Sequence, residues 1–341
     1  MMLICIIKHF PYPRAALIII LGFGGTLTAW TTVYLKKNQR AEKNARFHLL
    51  ADRTIAQVQA RFEIYASGLH DAQVVVNAIG EKNITRARFR EYVNSRDITH
   101  ALPGARGLGF SRQVQPADQT DFLNSARADG EPNFTVRQSA PHAGNLSVVQ
   151  YIEPATPNQA AIGYDLASEE NRADAIVTAI RTGAPTLTHP LTLVQAYDKI
   201  KEGFLFLQPV YRAEASLNSV EDRERAAVGL VYTPLVIDEV LKDFDLQNGS
   251  LSLALFDLDE AAKPKLFYAS SGSDELITDG LEKNISLKIF GRSWLAEIKA
   301  QPQFTQNLNL INPQKVAGYL LAVTIGLAGI FYLYGGKRRT S

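Results

Sequence analysis

Side chains that could carry out catalysis or bind a metal are few in this 341-residue sequence. The six histidines are His9, His48, His70, His100, His142 and His189. They form no His-x-x-x-His or cysteine-paired pattern of the kind that zinc sites use, and no Gly-x-Ser-x-Gly elbow occurs. The single cysteine, Cys5, lies near the N-terminus and excludes a disulfide scaffold. The sequence therefore predicts neither an enzyme nor a cofactor or metal site.

Asp165 is the side chain with the clearest potential for binding. It follows an apolar run and precedes a predicted helix, a position where carboxylates often form turns. If it is buried it needs a hydrogen-bond donor, because an unpaired buried carboxylate is costly. A ligand amine or amide is one such donor and the local backbone is another, so both roles remain open.

Several aromatic and basic residues between positions 151 and 211 also have more than one possible role. Tyr151 and Phe204 lie in predicted core strands, where they either line a pocket or pack in the core. The hydroxyls of Tyr164 and Tyr211 can meet a ligand or a backbone carbonyl. Arg172, in the first turn of the next helix, is expected at the surface or in an ion pair rather than on a ligand.

Short strands and helices position these residues. Strands are predicted at residues 107–114, 134–137, 147–152, 204–211, 226–232, 251–256, 266–269 and 286–299. Helices are predicted from Thr85, over residues 116–128 and 234–244, and from an N-cap at Ser168 to Gly183. The expected buried face of the last helix is Ala173, Ile176, Val177 and Ile180. Because repeated βαβ units are missing, the pattern predicts an α+β fold.

A long helical stripe precedes this region. Its members are Ala51, Ile55, Val58, Phe62, Tyr65, Leu69, Ala72 and Val76. They follow steps of four and three residues, and no proline interrupts residues 36–102, so a long stalk helix is predicted. The stripe either packs against its own domain or forms a homodimer seam, and both can hold along different halves.

Two uncharged apolar segments, residues 15–35 and 316–334, are each long enough to cross a bilayer as a helix. The first is expected to be a retained anchor, because its apolar run is long for a signal peptide and no clear cleavage site follows. Small residues spaced by four suggest close packing of the spans; they are Gly25 and Ala29, and Ala322 and Gly326.

Charge predicts how the chain lies in the membrane. All 34 acidic residues fall between the two apolar segments, and this mildly acidic middle does not fit nucleic-acid binding. Lys8, Arg14 and the basic residues 337–339 place both ends in the cytoplasm by the positive-inside rule. Four basic residues oppose this orientation: Lys36, Lys37, Arg40 and Lys43. We expect a multi-pass protein of the cell membrane, the inner membrane of a bacterium, with a large periplasmic domain.

Several motifs in a fixed order resemble the CHASE domain, the extracytoplasmic sensor module of bacterial, plant and slime-mould receptors. They are Tyr151-Ile152-Glu153-Pro154, Gly163-Tyr164-Asp165, Asn171-Arg172, Thr182-Gly183, Leu187-Thr188, Leu193-Val194-Gln195, Gly203-Phe204-Leu205 and Pro209-Val210-Tyr211. The resemblance covers roughly residues 105–232. It implies a long N-terminal stalk helix followed by two PAS-like α/β modules, bracketed by two transmembrane helices.

The implied domains run in chain order. They are a cytoplasmic tail (1–14), transmembrane helix 1 (15–35), a stalk and helical region (36–100), a membrane-distal ligand-binding module (101–232), a membrane-proximal module (233–313), transmembrane helix 2 (316–334) and a basic cytoplasmic tail (335–341). The chain ends seven residues after Tyr334, so no output domain is expected in it. A fragment, a split receptor and a stand-alone binder remain open.

The resemblance also implies a ligand site. Asp165 matches an Asp that hydrogen-bonds the adenine of cytokinin hormones, and Leu187 matches a pocket Leu whose backbone meets the ligand. Tyr151, Phe204 and Gln208 complete the expected site. Two positions depart from the hormone receptors, because Ala196 stands near a pocket Thr and Gln208 replaces an aromatic residue. The expected ligand is therefore adenine-like or another small metabolite.

The expected function is a membrane-anchored sensor that binds a small extracytoplasmic ligand and relays the signal by conformational change. Its expected partners are the ligand, the membrane, a second copy through the stalk helix, and a separate signalling protein. An adaptor whose outer domain binds a partner protein is the alternative from another class. A double-Cache sensor is a further alternative.

Overall fold

The computed structural model describes residues 13–193, 202–246, 248–258, 264–271 and 280–336. The motif residues Val194 and Gln195, the pocket position Ala196, Lys8 and the basic residues 337–339 lie outside this range. The helices are α1 (Pro13–Ile79), α2 (Arg86–Asn94), α3 (Ile98–Ala101), α4 (Gln119–Ala128), α5 (Ala155–Asn158), α6 (Glu170–Thr182), α7 (Val220–Ala226), α8 (Ile237–Val240), α9 (Pro302–Asn307) and α10 (Pro313–Gly336). The strands are β1 (Leu108–Val114), β2 (Leu146–Glu153), β3 (Thr186–Leu187), β4 (Leu191–Thr192), β5 (Glu202–Tyr211), β6 (Ala227–Val236), β7 (Leu251–Asp257), β8 (Lys265–Ala269), β9 (Glu282–Ile289) and β10 (Arg292–Ala300).

The described strands form two antiparallel sheets. The first has the order β2-β1-β6-β5-β3, with β4 also paired to β5. The second has the order β8-β7-β10-β9. Strands of the first sheet end at Val236 and those of the second begin at Leu251. The predicted α+β class, with a long N-terminal helix, is confirmed.

The chain divides into two compact units, one of Met1–Leu50 with Gln301–Ser341 and the other of Ala51–Ala300. In the second unit, all eight residues of the predicted stripe on α1 are buried. The hydroxyl of Tyr65 in this stripe donates a hydrogen bond to the carbonyl of Pro103. The stripe therefore packs against its own domain, which is the first of the two interpretations of its sequence pattern.

Two helices, α1 and α10, are long and apolar enough to cross a membrane, judged by length and composition. They approach each other at Gly24, where an added Cβ would lie 2.2 Å from the Cγ2 of Thr324. A Cβ added at Gly25 or Gly326 would have no neighbour within 4 Å, so the small residues singled out from sequence are not at this contact. The glycine at the contact, Gly24, lies one position before Gly25 on α1. The direction from which α10 approaches determines which small residue of α1 faces it.

Two predicted strands have a different form. At residues 134–137, only Arg137 forms a bridge, to Tyr164, while Phe134 packs edge-to-face on Phe122 in the core. The predicted strand 286–299 is instead a hairpin of β9 and β10. Its two turn residues, Phe290 and Gly291, have φ of 44° and 83°, which matches the positive-φ turns that connect such strands.

Two predicted helices also differ. Residues 234–236 finish strand β6, so the helix expected at 234–244 is reduced to α8. Helix α6 starts two residues after Ser168, because the side chain of Glu169 accepts from the Asn171 N–H and acts as the N-cap. The Ser168 hydroxyl instead donates to the Asp165 carbonyl at 2.6 Å.

The buried face of α6 is rotated from the predicted one. It comprises Arg172, Ala175, Ile176, Ala179 and Ile180. Val177, predicted to be buried, is 49% exposed. The two alanines face inward because their small side chains allow the helix to lie close to the sheet. Helix α6 joins one core cluster with Leu205, Leu207 and Tyr232 of the first sheet.

Candidate functional site

Two of the expected site residues lie in one row across the first sheet. Tyr151 on β2 is opposite Phe110 on β1, which is opposite Val231 on β6, which is opposite Gln208 on β5. Residues directly opposite one another in an antiparallel pair share a face. The sheet therefore places Tyr151 and Gln208, both buried, on the same face at opposite ends of this row.

Leu187 and Phe204 lie on that same face. Leu187 is opposite Phe206, and Phe206 alternates with Phe204 along β5. The ring of Phe204 lies 5.4 Å from that of Trp294 and 5.2 Å from that of Phe267, both in the second sheet. These three rings form an aromatic cluster between the two sheets, so the structure places Phe204 in packed core.

The hydroxyl of Tyr151 is occupied by protein groups. It donates to Oδ2 of Asp129 at 2.6 Å and accepts from Nε2 of Gln150 at 2.9 Å, and its ring stacks on Phe89. Burial, followed by the hydrogen bond and the charge of Asp129, raises the pKa of Tyr151 far above its usual range. This side chain ties β2 to the end of α4 and to α2.

Asp165 lies beside the edge strand β2, where it forms a bridge with Val148. It is completely buried. Its Oδ1 accepts from the backbone N–H of Ser147 at 2.8 Å and of Ala167 at 3.1 Å. This carboxylate therefore caps the turn after Gly163-Tyr164, one of the two roles that the sequence left open.

The second oxygen of Asp165 faces side chains that sequence reasoning missed. Oδ2 accepts from Nε2 of Gln138 at 2.9 Å and pairs with Nε2 of His142 at 2.7 Å. Both come from the loop between α4 and β2, and His142 is partly accessible to solvent. No spacing motif connects these residues with Asp165, so only the folded loop brings them together. A ligand donor reaching Oδ2 would have to replace one of them.

Replacing Asp165 by alanine is expected to lower the free energy of unfolding by about 2 kcal/mol, because two buried backbone N–H groups lose their acceptor. Urea denaturation of the protein in detergent measures this. Asp174→Ala, on the exposed side of α6, is the matched control and should change stability by less than about 0.5 kcal/mol. Equal stability of the two variants would contradict the capping role.

Tyr211 anchors α6 to strand β5. Its hydroxyl donates to the carbonyl of Ile180 at 2.6 Å, so of the two roles left open it contacts the backbone. Burial raises the pKa of Tyr211 to about 12, with a smaller opposing effect from the charge of Arg223. The protein therefore keeps this proton where the unfolded chain loses it.

Stability contributed by Tyr211 should consequently be complete below about pH 10 and be lost as the pH rises to about 12. Urea denaturation across this range measures the slope. Tyr211→Phe should be less stable at neutral pH by about 1 kcal/mol, for the lost hydrogen bond, and should show a shallower alkaline decline. An unchanged slope would contradict this assignment.

Arg172 is buried and pairs with Glu169, so of the two expected placements, the surface or an ion pair, the structure shows the ion pair. It is 8% exposed, and its guanidinium carbon lies 5.3 Å over the ring of Tyr164. Its Nε is 3.4 Å from Oε2 of Glu169. The Tyr164 hydroxyl is hydrogen-bonded to Ser139 at 2.6 Å. Arg172 is buried because it lies on the face of α6 that packs in the core, together with Ala175 and Ile176.

Metal-binding residues do not cluster in the described part of the chain, where no group of three or more His, Cys, Asp or Glu side chains is arranged to hold an ion. The arrangement around Asp165 and Arg172 offers hydrogen bonding and charge.

Comparison with known proteins identifies the class. The family model of the CHASE domain, an extracytoplasmic sensor domain, matches residues 82–268. Because this range is more than half of the sequence, the chain belongs to the CHASE domain family. This assignment points to a sensor, and the resemblance found in the sequence motifs is confirmed.

A similar solved structure is the extracellular ligand binding receptor from Desulfohalobium retbaense DSM5692. It aligns with a TM-score of 0.48 and 11% sequence identity, over 75% of this chain and 40% of the receptor chain. The chain thus spans less than half of that receptor's length. Among curated proteins, none matches this chain.

Proposed function

We propose that this protein is a membrane-anchored sensor whose outer domain binds a small molecule and relays the binding across the membrane. The observation that carries the proposal is the CHASE family match at residues 82–268, between two helices that are long and apolar enough to cross a membrane. We propose that both apolar segments span the inner membrane of a bacterium, with the short ends in the cytoplasm.

The two sheets support a division into two PAS-like modules. The first sheet, with α6 packed on it, would form the membrane-distal module of residues 101–232, which holds the ligand. The second sheet would form the membrane-proximal module of residues 233–313. Because strand β6 continues to Val236, the proposed first module would also include residues 233–236.

Asp165 is the proposed direct contact of the ligand. A ligand amine would take the place of Gln138 or His142 at Oδ2, while Oδ1 keeps its two backbone partners. Leu187 is the second proposed contact, through its backbone. Tyr151, Phe204 and Gln208 would act through the sheet face that they share.

The relay is proposed to be a population shift. Helix α1 continues without a break from the first apolar segment to Ile79, so a displacement of this helix reaches the membrane. A ligand shifts such an equilibrium only by its difference in affinity for the two states, which must amount to a few kcal/mol. A second copy paired through α1, or a separate signalling protein, would receive the displacement.

A thermal-shift screen of the full chain in lipid nanodiscs tests the proposal. Adenine derivatives, amino acids and organic acids are the probes, and a ligand well above its Kd should raise the melting temperature by a few degrees. Asp165→Asn should reduce this rise, whereas Asp174→Asn should not. If no probe raises the melting temperature of the unsubstituted protein, the sensor proposal fails. The adaptor that binds a partner protein then becomes the better hypothesis.

A further inference from the structure

Tyr232 has a hydroxyl without a hydrogen-bond partner among the described residues, although the side chain is 1% exposed. The ring of Tyr232, on β6, lies flat over Gly109 of β1. A Cβ at Gly109 would be 2.4 Å from the ring and 2.7 Å from the hydroxyl oxygen. Glycine at position 109 thus places this hydroxyl over the sheet, in the core cluster that contains α6.

Arg172 belongs to the buried face of α6, and the apolar residues of that face share one core cluster with Tyr232. Burial raises the pKa of Tyr232 far above its usual range, and the positive charge of Arg172 opposes that rise. Within the described part of the chain, the guanidinium of Arg172 donates no hydrogen bond. Its Nε lies 3.4 Å from Oε2 of Glu169, but the two atoms are not aligned as donor and acceptor, and both are buried without a hydrogen-bond partner.

Donors that make no hydrogen bond occur at two buried side chains and need an explanation, because buried polar groups in native proteins are almost always hydrogen-bonded. Both of these donors would be satisfied by an acceptor oxygen, and the guanidinium adds a positive charge. Arginine offers parallel N–H groups that fit a carboxylate. A neutral base such as adenine offers no carboxylate to these N–H groups.

We propose that Arg172 and Tyr232 bind the carboxylate of a small ligand between α6 and the first sheet. This inference rests on the proposed sensor function and names the chemical class of its ligand. It adds a further contact, on the sheet side of α6, to those proposed at Asp165 and Leu187.

Glu169 would favour one of the two kinds of ligand that carry a carboxylate, amino acids and simple organic acids. Its Oε1 caps the Asn171 N–H, whereas its Oε2 is buried without a hydrogen-bond partner. The ammonium group of an amino acid would pair with Oε2, but a simple organic acid would meet its negative charge. The experiment therefore includes both kinds of acid.

Calorimetric titration of the full chain in lipid nanodiscs is the test, with acetate, succinate, alanine and glutamate as probes. Alaninamide and succinamide are matched ligands without the carboxylate, and adenine is a ligand of another class. An acid should bind while its amide does not. Arg172→Gln should weaken binding at least about tenfold, and Arg172→Lys should restore part of it. Arg181→Gln, at the exposed end of α6, should have no effect.

Tyr232→Phe separates a ligand contact from a structural role. It should weaken binding of the acid several-fold, and it should raise the melting temperature of the unliganded protein by roughly 2 °C, because an unpaired buried hydroxyl is removed. A lower melting temperature would show that the hydroxyl has a structural partner, and would overturn its place in the site.

Other outcomes overturn the inference in distinguishable ways. If adenine binds and the Arg172 variants bind it equally well, the carboxylate site is wrong while the sensor function stands. If acid and amide bind alike, the charge of Arg172 has no part in recognition. If no probe of any class binds, this inference and the proposed function both fail.

Discussion

Arg292→Met is expected to lower the free energy of unfolding by about 3–5 kcal/mol, because it leaves the carboxylate of Asp257 buried without its guanidinium. Asp257 is completely buried, and its oxygens lie 2.7 and 2.8 Å from one terminal nitrogen of Arg292. The same guanidinium contacts the ring of His189, whose Nδ1 is 3.6 Å from Asp257. These three side chains connect the β3–β4 loop of the first sheet with the second sheet.

Urea denaturation of the full chain in detergent measures this effect, and a double variant interprets it. Asp257→Leu combined with Arg292→Met removes both charges and should recover most of the loss, since a buried ion pair contributes little beyond an apolar pair. Arg225→Met removes a partner from the exposed pair with Asp222 and should cost less than about 1 kcal/mol. An Arg292→Met loss as small as that of Arg225→Met would contradict the burial of this pair.

Phe204→Ala is expected to cost about 3–5 kcal/mol, since it would open a cavity in the aromatic cluster between the sheets. Phe204 is completely buried, and Trp294 also contacts Phe62 of α1, with ring centres 5.2 Å apart. The variant therefore loosens the contact of the first sheet with the second sheet and with α1. Denaturation in urea, followed by circular dichroism, gives the loss.

Phe204→Leu and Leu266→Ala are the comparison variants. In Phe204→Leu, the leucine fills part of the space, so this variant should lose less than half as much stability as Phe204→Ala. Leu266 is 48% exposed on β8, so Leu266→Ala should lower the free energy of unfolding by less than about 0.5 kcal/mol. A loss near 1 kcal/mol for Phe204→Ala would indicate that Phe204 borders an open space. That result would favour its assignment as a wall of the ligand pocket.

Elements with a strong local signal were predicted well. The stripe of α1 is buried as its period requires, and β1, β2, β5 and β7 lie within a few residues of their predicted positions. The β9–β10 hairpin was predicted as one strand because Phe290 and Gly291 are a weak turn signal. Phe290 holds its positive φ where its ring packs 4.8 Å from Phe206 and its carbonyl accepts from the Leu187 N–H.

Local order in the sequence by itself determined the α+β class, the two apolar segments, the buried stripe of α1 and the CHASE family. These properties depend on periodicity and on motifs in a fixed order, which are readable along the chain. The same local order singled out Asp165 as a carboxylate that, once buried, needs donors, and the structure supplies them from the backbone and from one loop.

Only the tertiary structure decided the partners of the polar groups. His142 reaches Asp165 across 23 residues, and Arg292 reaches His189 across 103. Arg172 is buried because it lies on the face of α6 that packs in the core, against the usual behaviour of arginine in a first turn. Hydrogen bonds and charge pairs between distant segments depend on the conformations of the loops, and residue spacing does not predict those conformations.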